Sequence, residues 1–156
     1  MRYLSANLVF DGNNFLEKGS VIVLDDNGTV MALLKDTEVD AAVIEHFEGC
    51  LTPGFVNAHC HLELSHLRAV VPKHSQLPNF AMELMKKRSG FSEEVIQAQI
   101  DAADEFMWQH GIVAVGDICN TGDTIRKKKN SKIYYHSFIE LIALNPAAAE
   151  TVFLRG

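Results

Sequence analysis

The sequence predicts an α/β protein: a β-rich amino-terminal module, residues 1–50, followed by alternating strands and helices, residues 51–156. The first observation behind this prediction is that residues 3–47 form short β-type runs separated by turn residues, with no sustained helical period. The second is that apolar, strand-like runs alternate with helix-like segments after Gly49. This alternation predicts a parallel sheet with right-handed crossovers.

The amino-terminal module contains four candidate strands: Tyr3–Phe10, Ser20–Leu24, Thr29–Leu34 and Ala42–Phe47. Between the second and third strands, Asn27-Gly28 is flanked by apolar runs and predicts a hairpin, because both residue types tolerate positive φ. A sheet of about 50 residues buries too little apolar surface to be stable alone. We therefore expect this module to pack on another part of the protein.

The second segment contains three candidate strands and four candidate helices. The strands are Cys50–Ala58, Ile112–Ile118 and Ile133–Leu144, and the helices are Asn79–Arg88, Ser92 to Gly111, Thr121–Lys129 (a short helix or turn) and Ala147–Phe153. The long helix is marked by a capping hydroxyl at Ser92, an acidic first turn and the terminator Gly111. Pro53-Gly54 predicts a tight turn into the first strand, and Asn145-Pro146 ends the third.

The composition excludes several classes of protein. With 47% hydrophobic residues the chain is too apolar for intrinsic disorder. Lys and Arg number 14 against 20 Asp and Glu, so nucleic acid is not an expected partner. The one basic run, Lys127–Lys129, is interpreted as a solvated helix end. No stretch approaches the ~20 apolar residues of a membrane helix, so no membrane partner is expected.

Three cysteines, Cys50, Cys60 and Cys119, favour a reducing compartment. They are odd in number and form no close pair, so they encode neither a disulfide framework nor a CxxC zinc site. Cys60 and Cys119 are interpreted as small buried residues. Because Met1–Phe10 also lacks the features of a secretory leader, the expected location is the cytoplasm.

His59 and His61 are the most informative residues. They lie two apart on a predicted strand, so both imidazoles project to one side while Cys60 faces the other. A position at the carboxyl end of a buried parallel strand is where α/β folds place their active sites. Such a pair suits zinc or another borderline divalent ion. The alternative is two hydrogen-bonded core histidines.

The stretch Leu51–Leu64, LTPGFVNAHCHLEL, resembles the first barrel strand of the amidohydrolase superfamily. The β-rich module before it, and the long helix, Gly111 and Val-Ala-Val-Gly-Asp strand after it, resemble the same family. The resemblance implies a β-sandwich module followed by a distorted (β/α)8 barrel, of which residues 51–156 supply the first three βα units. It also implies that His59 and His61 ligate one or two divalent ions, zinc first and iron second.

The resemblance further implies the chemistry. Superfamily members activate a water that attacks a C–N, or occasionally a C–Cl or P–O, bond. The run His-x-His-Leu-Glu-Leu-Ser is similar to the one-metal branch of cytosine, guanine, adenosine-type and aminodeoxyfutalosine deaminases and triazine chlorohydrolases. The expected function is therefore a deaminase of a purine-like or nucleoside-like ring. Alternatives are a cyclic amide hydrolase, a chlorohydrolase, or a non-catalytic association module.

Four further residues are candidate substrate contacts. Glu63 shares the parity of His61, with a solvated loop carboxylate or a residue that orients a histidine as its alternatives. His66 follows in the same loop and is otherwise a surface histidine. Glu83 lies on the helix that some relatives use to bind ribose. Glu140, on the third strand, lines a pocket or forms a structural hydrogen bond, while Asp117 is expected to anchor a turn.

The length conflicts with a complete barrel. A (β/α)8 barrel needs about 250 residues, and these 156 supply about three of its eight units. The later histidines, glutamate and aspartate that the resemblance implies have no counterpart here. We therefore expect an amino-terminal portion that is inactive alone and that either self-associates or needs a missing carboxyl-terminal segment.

Overall fold

A computed structural model describes residues 1–72, 76–142 and 146–154. The chain divides into two compact units, Met1–Pro53 and Gly54–Gly156. Strands and helices are both present, so the predicted α/β class is confirmed. Within the described ranges, no helix has the length and apolar character needed to cross a membrane.

The first unit is built on a four-stranded mixed sheet. Its strands are β1 (Arg2–Val9), β2 (Ser20–Leu24), β3 (Val30–Lys35) and β4 (Ile44–Leu51). In the order β3-β2-β1-β4, the β3-β2 and β2-β1 pairs are antiparallel and β4 is parallel to β1. Leu4, Val9, Val21 and Val23 are buried and form the core. All four predicted strands are present, although β4 continues past Phe47 to Leu51.

The predicted hairpin between β2 and β3 has a different turn from the one expected. Gly28 has a φ of 84°, but Asn27 does not have the positive φ that a two-residue Asn-Gly turn requires. Instead, the Asp25 carboxylate accepts hydrogen bonds from the backbone amides of Asn27 (2.9 Å) and Thr29 (2.8 Å). An aspartate that caps its own loop in this way stabilises a longer connection.

The second unit is built on a three-stranded parallel sheet. Its strands are β5 (Phe55–Cys60), β6 (Ile112–Cys119) and β7 (Tyr134–Ile139), in that spatial order. Its α-helices are α1 (Leu77–Lys87), α2 (Glu93–Gln109), α3 (Ile125–Asn130) and α4 (Ala149–Phe153), with 3-10 turns at Leu62–Leu67 and Pro146–Ala148. The long helix α2 ends before Gly111, which has a φ of 78°, as its sequence predicts.

Two strand boundaries of the second unit differ from those predicted. The apolar run Cys50–Ala58 is not one strand, because it divides at Pro53-Gly54 between β4 and β5. Gly54 is required there, since a Cβ would lie 2.2 Å from Val113 Cγ1. The third strand, β7, ends at Ile139, so Glu140 follows it. The predicted end at Leu144, and Asn145 of the predicted Asn145-Pro146 turn, lie outside the described residues.

The parallel sheet has one buried and one exposed face. On β6, Val115, Asp117 and Cys119 alternate toward the buried side. The opposite face carries Val56 and Tyr134, which are 67% and 69% exposed. Both pair in register with Ala114 on β6. This second face is therefore apolar and accessible to solvent.

A buried ion pair holds β6 against α3. Asp117 is 0% exposed, and its carboxylate lies 2.6 Å from the ammonium of Lys128. Burial alone lowers the pKa of Lys128, but the hydrogen bond and charge of Asp117 outweigh it, so the pKa is raised above 10.5. The interpretation of Lys127–Lys129 as a solvated run is wrong at two positions, because Lys127 also pairs, with Asp104 at 3.1 Å.

Gly116→Ala is expected to lower the free energy of unfolding by about 1–3 kcal/mol. The added methyl would lie 2.9 Å from the carbonyl oxygen of Ala58 on β5, and backbone cannot move aside as a side chain can. Urea unfolding followed by circular dichroism measures the effect. Gly122→Ala is the control, because its methyl would meet Ile125 at an ordinary 3.5 Å. Equal stability of the two variants would contradict the packing of β5 on β6.

Lys128→Met is expected to destabilise the protein by about 3–5 kcal/mol, because it leaves the buried carboxylate of Asp117 without its counter-charge. Thermal and urea unfolding near pH 7 measure this loss. The wild-type stabilisation is fully present below pH 10.5 and declines as the pH rises through the raised pKa of Lys128. Lys129→Met, the same change at the exposed neighbour, is expected to alter stability by less than about 0.5 kcal/mol.

Candidate metal and substrate site

Three polar residues lie at the carboxyl edge of the parallel sheet. His61, Asn120 and Glu140 directly follow β5, β6 and β7, respectively. Because the strands are parallel, these positions meet at one edge, where α/β proteins bind ligands. All three residues border a single cavity of 670 Å³. The edge and the cavity together form the candidate site.

The wall of this cavity is mainly apolar. Helix α1 contributes Phe80, Leu84 and Met85, and the chain after β7 contributes Leu141 and Ile142. A largely apolar cleft with a few convergent polar groups is typical of small-molecule sites. The cavity is thus suited to a ligand with an apolar body and a few polar atoms.

The rings of His59, on β5, and His61, directly after β5, lie on the same side of the chain, as strand alternation predicts. Their ring centroids are 5.2 Å apart and the rings meet edge to face. Cys60, between them, is half-buried on the side of Asp117. Burial is the main cause that raises the pKa of the Cys60 thiol to about 11, and the Asp117 charge adds to it. His61 borders the cavity, whereas His59 is exposed and does not.

The ring geometry fits a shared metal ion. Two imidazoles that bind one tetrahedral zinc through nitrogens at ~2.0–2.1 Å have ring centroids about 5 Å apart. The observed spacing agrees with this value. In addition, Nδ1 of His61 is buried and has no hydrogen-bond partner within the described part of the chain. A buried ring nitrogen without a partner is costly unless a metal or water satisfies it.

The pair does not form a complete metal site. Across residues 1–72, 76–142 and 146–154, no group of three or more His, Cys, Asp and Glu side chains is placed to hold a metal ion. Zinc sites normally use at least three protein ligands. Two histidines are fewer side chains than this number.

Glu63 is buried in the protein instead of facing the cavity. Its residue exposure is 2%, and one carboxylate oxygen accepts hydrogen bonds from the backbone amides of Asn120 (3.0 Å) and Thr121 (2.8 Å) and from the Thr121 hydroxyl (2.8 Å). The other oxygen pairs with the Arg88 guanidinium at 3.3 Å. This placement favours a structural role over the substrate contact that the sequence suggested.

His66 is also packed within the protein, which corrects its interpretation as an exposed loop residue. It is buried, its Nε2 lies 3.2 Å from the carbonyl oxygen of Arg88, and its ring stands edge to face against Phe91 at 5.1 Å. It does not border the cavity. These contacts favour a packing role over a substrate contact.

The two remaining predicted substrate contacts differ in position. Glu83 lies on α1 and does not border the cavity. Hydrogen bonds from Lys87 and Lys86 lower the pKa of its carboxyl group. Glu140 does border the cavity, and its carboxylate accepts a hydrogen bond from the side-chain amide of Asn120 at 3.1 Å. Glu140 is thus the predicted substrate contact that the structure brings together with His61.

Sequence reasoning missed two polar residues of the cavity, Asn120 and Arg88. Asn120 had a usable signal, because it follows a predicted parallel strand at the edge where α/β sites form. Arg88 had none, since it lies at the end of α1 and reaches the cavity only through tertiary packing.

Comparison with known proteins gives fold-level matches. No protein-family model and no curated protein matches the sequence. An aminofutalosine deaminase of Helicobacter pylori, solved with methylthio-coformycin, has a TM-score of 0.75 and 20% identity over 99% of this chain and 39% of its own. A zinc-complexed atrazine chlorohydrolase of Arthrobacter aurescens has a TM-score of 0.69 and 18% identity over 96% and 38%.

An adenosine deaminase of Xanthomonas campestris with bound zinc has a TM-score of 0.58 and 15% identity over 98% of this chain and 46% of its own. This chain thus spans less than half the length of each of these structures. All three proteins belong to the amidohydrolase superfamily. The resemblance indicated by the sequence is therefore confirmed at the level of the fold: this chain has the fold of part of an amidohydrolase-superfamily enzyme.

Proposed function

We propose that this chain carries the first metal-ligand pair of a metal-dependent aminohydrolase that acts on a non-peptide C–N bond. The observation that carries the proposal is the pairing of His59 with His61, the latter at the rim of a cavity at the carboxyl edge of a parallel sheet. The fold likeness to two deaminases supports it. Zinc is the first candidate for the ion, because two of the similar structures contain it, and iron is the second.

In this proposal His59 and His61 hold the ion through neutral ring nitrogens. A divalent ion bound there would lower the pKa of a water and polarise the carbon that is attacked. Asn120 and Glu140, which border the same cavity as His61, orient the substrate by hydrogen bonds. The apolar side chains of α1 keep bulk water away from the ring.

The proposed substrate is a purine-like or nucleoside-like ring. Support comes from the Helicobacter structure, which holds methylthio-coformycin, and from the adenosine deaminase. The apolar wall at Phe80 and Met85 suits the flat face of such a ring. Of the predicted substrate contacts, Glu140 is retained here.

We also propose that the two sheets are parts of larger assemblies. The four-stranded sheet would form one half of a β-sandwich, and the parallel sheet the first three βα units of a (β/α)8 barrel. The proposal is supported by the exposed apolar face of the parallel sheet and by coverage of 39% of the deaminase chain. Because two imidazoles are a partial ligand set, the 156 residues alone are expected to be catalytically inactive.

A chlorohydrolase is the second candidate enzyme. It is favoured by the likeness to the atrazine chlorohydrolase, which was also solved with zinc. The ligand pair would be the same, and the leaving group would be chloride instead of ammonia.

A non-catalytic association module is the candidate from another class. It is favoured by the exposed apolar side chains on one face of the parallel sheet, because a contiguous apolar surface marks an interaction site. In this reading the histidine pair binds metal weakly or not at all, which a metal-binding measurement decides.

Zinc binding is the test of the enzyme proposal. With zinc in excess, the purified chain is expected to bind about one zinc ion weakly, because the two imidazoles share one ion and are fewer than the usual three protein ligands. His59→Ala/His61→Ala is expected to abolish this binding, as measured by elemental analysis and titration calorimetry. His46→Ala/His110→Ala, at two exposed histidines outside the pair, is the matched control and is expected to bind like the wild type. A wild type without zinc would contradict the proposal.

Self-association is expected in sedimentation velocity at micromolar protein concentration, because the apolar sheet face is open to solvent. Phe138→Ser, on that face, is expected to reduce association. Phe153→Ser, at an exposed phenylalanine on α4, is the control and is expected to leave association unchanged. A wild-type monomer that melts cooperatively would contradict the expectation.

A further inference from the structure

The buried carboxylate of Glu63 connects two segments of the chain that border the cavity. Glu63 lies in the 3-10 turn after β5, two residues beyond His61. The donors to its carboxylate come from Asn120 and Thr121, directly after β6. One side chain therefore joins the segment that carries the histidine to the segment that carries the asparagine.

The hydrogen bonds to this carboxylate are unequal. Three donors converge on Oε2, whereas Oε1 accepts, among the residues that the structure describes, from Arg88 alone, at 3.3 Å. Two of the three donors on Oε2 are backbone amides, so they fix the path of the chain as well as a side chain. A carboxylate oxygen suits such a cluster, because it offers lone pairs to several donors.

The residue between His61 and Glu63 is fixed as well. The backbone amide of Leu62 donates to the carboxylate of the fully buried Asp117 at 2.7 Å. On the other side, Cys60 pairs with Asp117 across the sheet. His61 is thus held between two anchored neighbours. The links of Cys60 and Leu62 reach Asp117 on β6, whereas the link of Glu63 reaches Asn120 and Thr121 after β6.

We propose that Glu63 is a positioning residue that fixes His61 and Asn120 relative to each other and does not touch the substrate. This role rests on the proposed function, in which His61 ligates a metal ion. A ligand held in place before the ion arrives loses less freedom on binding, so the carboxylate acts on metal affinity through the backbone of His61.

Glu63→Gln tests this role with little change of shape. A carboxamide presents one oxygen and one NH2 group. In one orientation the NH2 group faces the three converging donors, and in the other it faces Arg88, which is then unpaired. Zinc affinity, measured by titration calorimetry, is expected to fall about tenfold, the lower end of the effect of removing residues that orient metal ligands. Thr121→Val removes a single donor and is expected to weaken binding less.

Asp104→Asn is the matched control. Asp104 is also a buried carboxylate, and it accepts from Ser131 (2.6 Å) and Tyr135 (2.7 Å), but it does not border the cavity. This variant is expected to lower the melting temperature and to leave zinc affinity unchanged. A merely structural role for Glu63 would give the same pattern in Glu63→Gln, which would overturn the inference.

Nuclear magnetic resonance separates failure of the inference from failure of the proposed function. In Glu63→Gln, the ring signals of His61 and the hydrogen-exchange protection of the Asn120 and Thr121 amides are expected to change, and in Asp104→Asn they are expected to persist. If the wild type binds no zinc, the proposed function fails, and these signals decide the positioning role. Unchanged His61 signals in folded Glu63→Gln, or unchanged affinity in a chain that binds zinc, overturn it.

Discussion

Hydrogen bonds to two buried carboxylates hold the carboxyl edge of the parallel sheet together. Asp117 accepts from Leu62 and pairs with Lys128, and Glu63 accepts from the chain after β6 and pairs with Arg88. A buried charge is costly unless it is paired and hydrogen-bonded, so both carboxylates require their donors in place. The 3-10 turn after β5 and the loop after β6 are therefore fixed by the same requirement. Because both segments border the cavity, the same hydrogen bonds fix this part of its wall.

This constraint gives the sheet two different faces. The buried face carries the charges that need partners, together with apolar residues such as Val115. The other face carries small residues on β6, where Gly116 passes close to the backbone of β5, and exposed apolar residues such as Val56 and Phe138 on its neighbours. The pair His59 and His61 lies at the edge of this sheet, beside a largely apolar cavity, which is the arrangement on which the proposed function depends.

Sequence patterns predicted correctly those features that depend on neighbouring residues alone. Local alternation correctly predicted that His59 and His61 share a side. Parity does not hold along the whole of β5, because its register with β6 shifts between Asn57 and Cys60. The solvated interpretation of the lysine run was wrong because Lys128 reaches a carboxylate eleven residues earlier in the chain, on β6. The expected Asn-Gly turn was wrong in type because the Asp25 side chain caps the loop. Each error arises from a hydrogen-bond or ion-pair partner that the propensities of single residues do not take into account.

The sequence by itself determined the α/β class, the order of strands and helices, and the presence of two histidines at the end of a parallel strand, because hydrophobic period, turn residues and parity are local properties. Tertiary structure alone decided that Glu63 and His66 are buried, that Asn120 and Glu140 share a cavity with His61, and that Arg88 reaches it. These outcomes depend on which carboxylates find donors from distant segments. The pairing of carboxylates with donors is decided only when the chain packs, because an unpaired buried charge is too costly to persist.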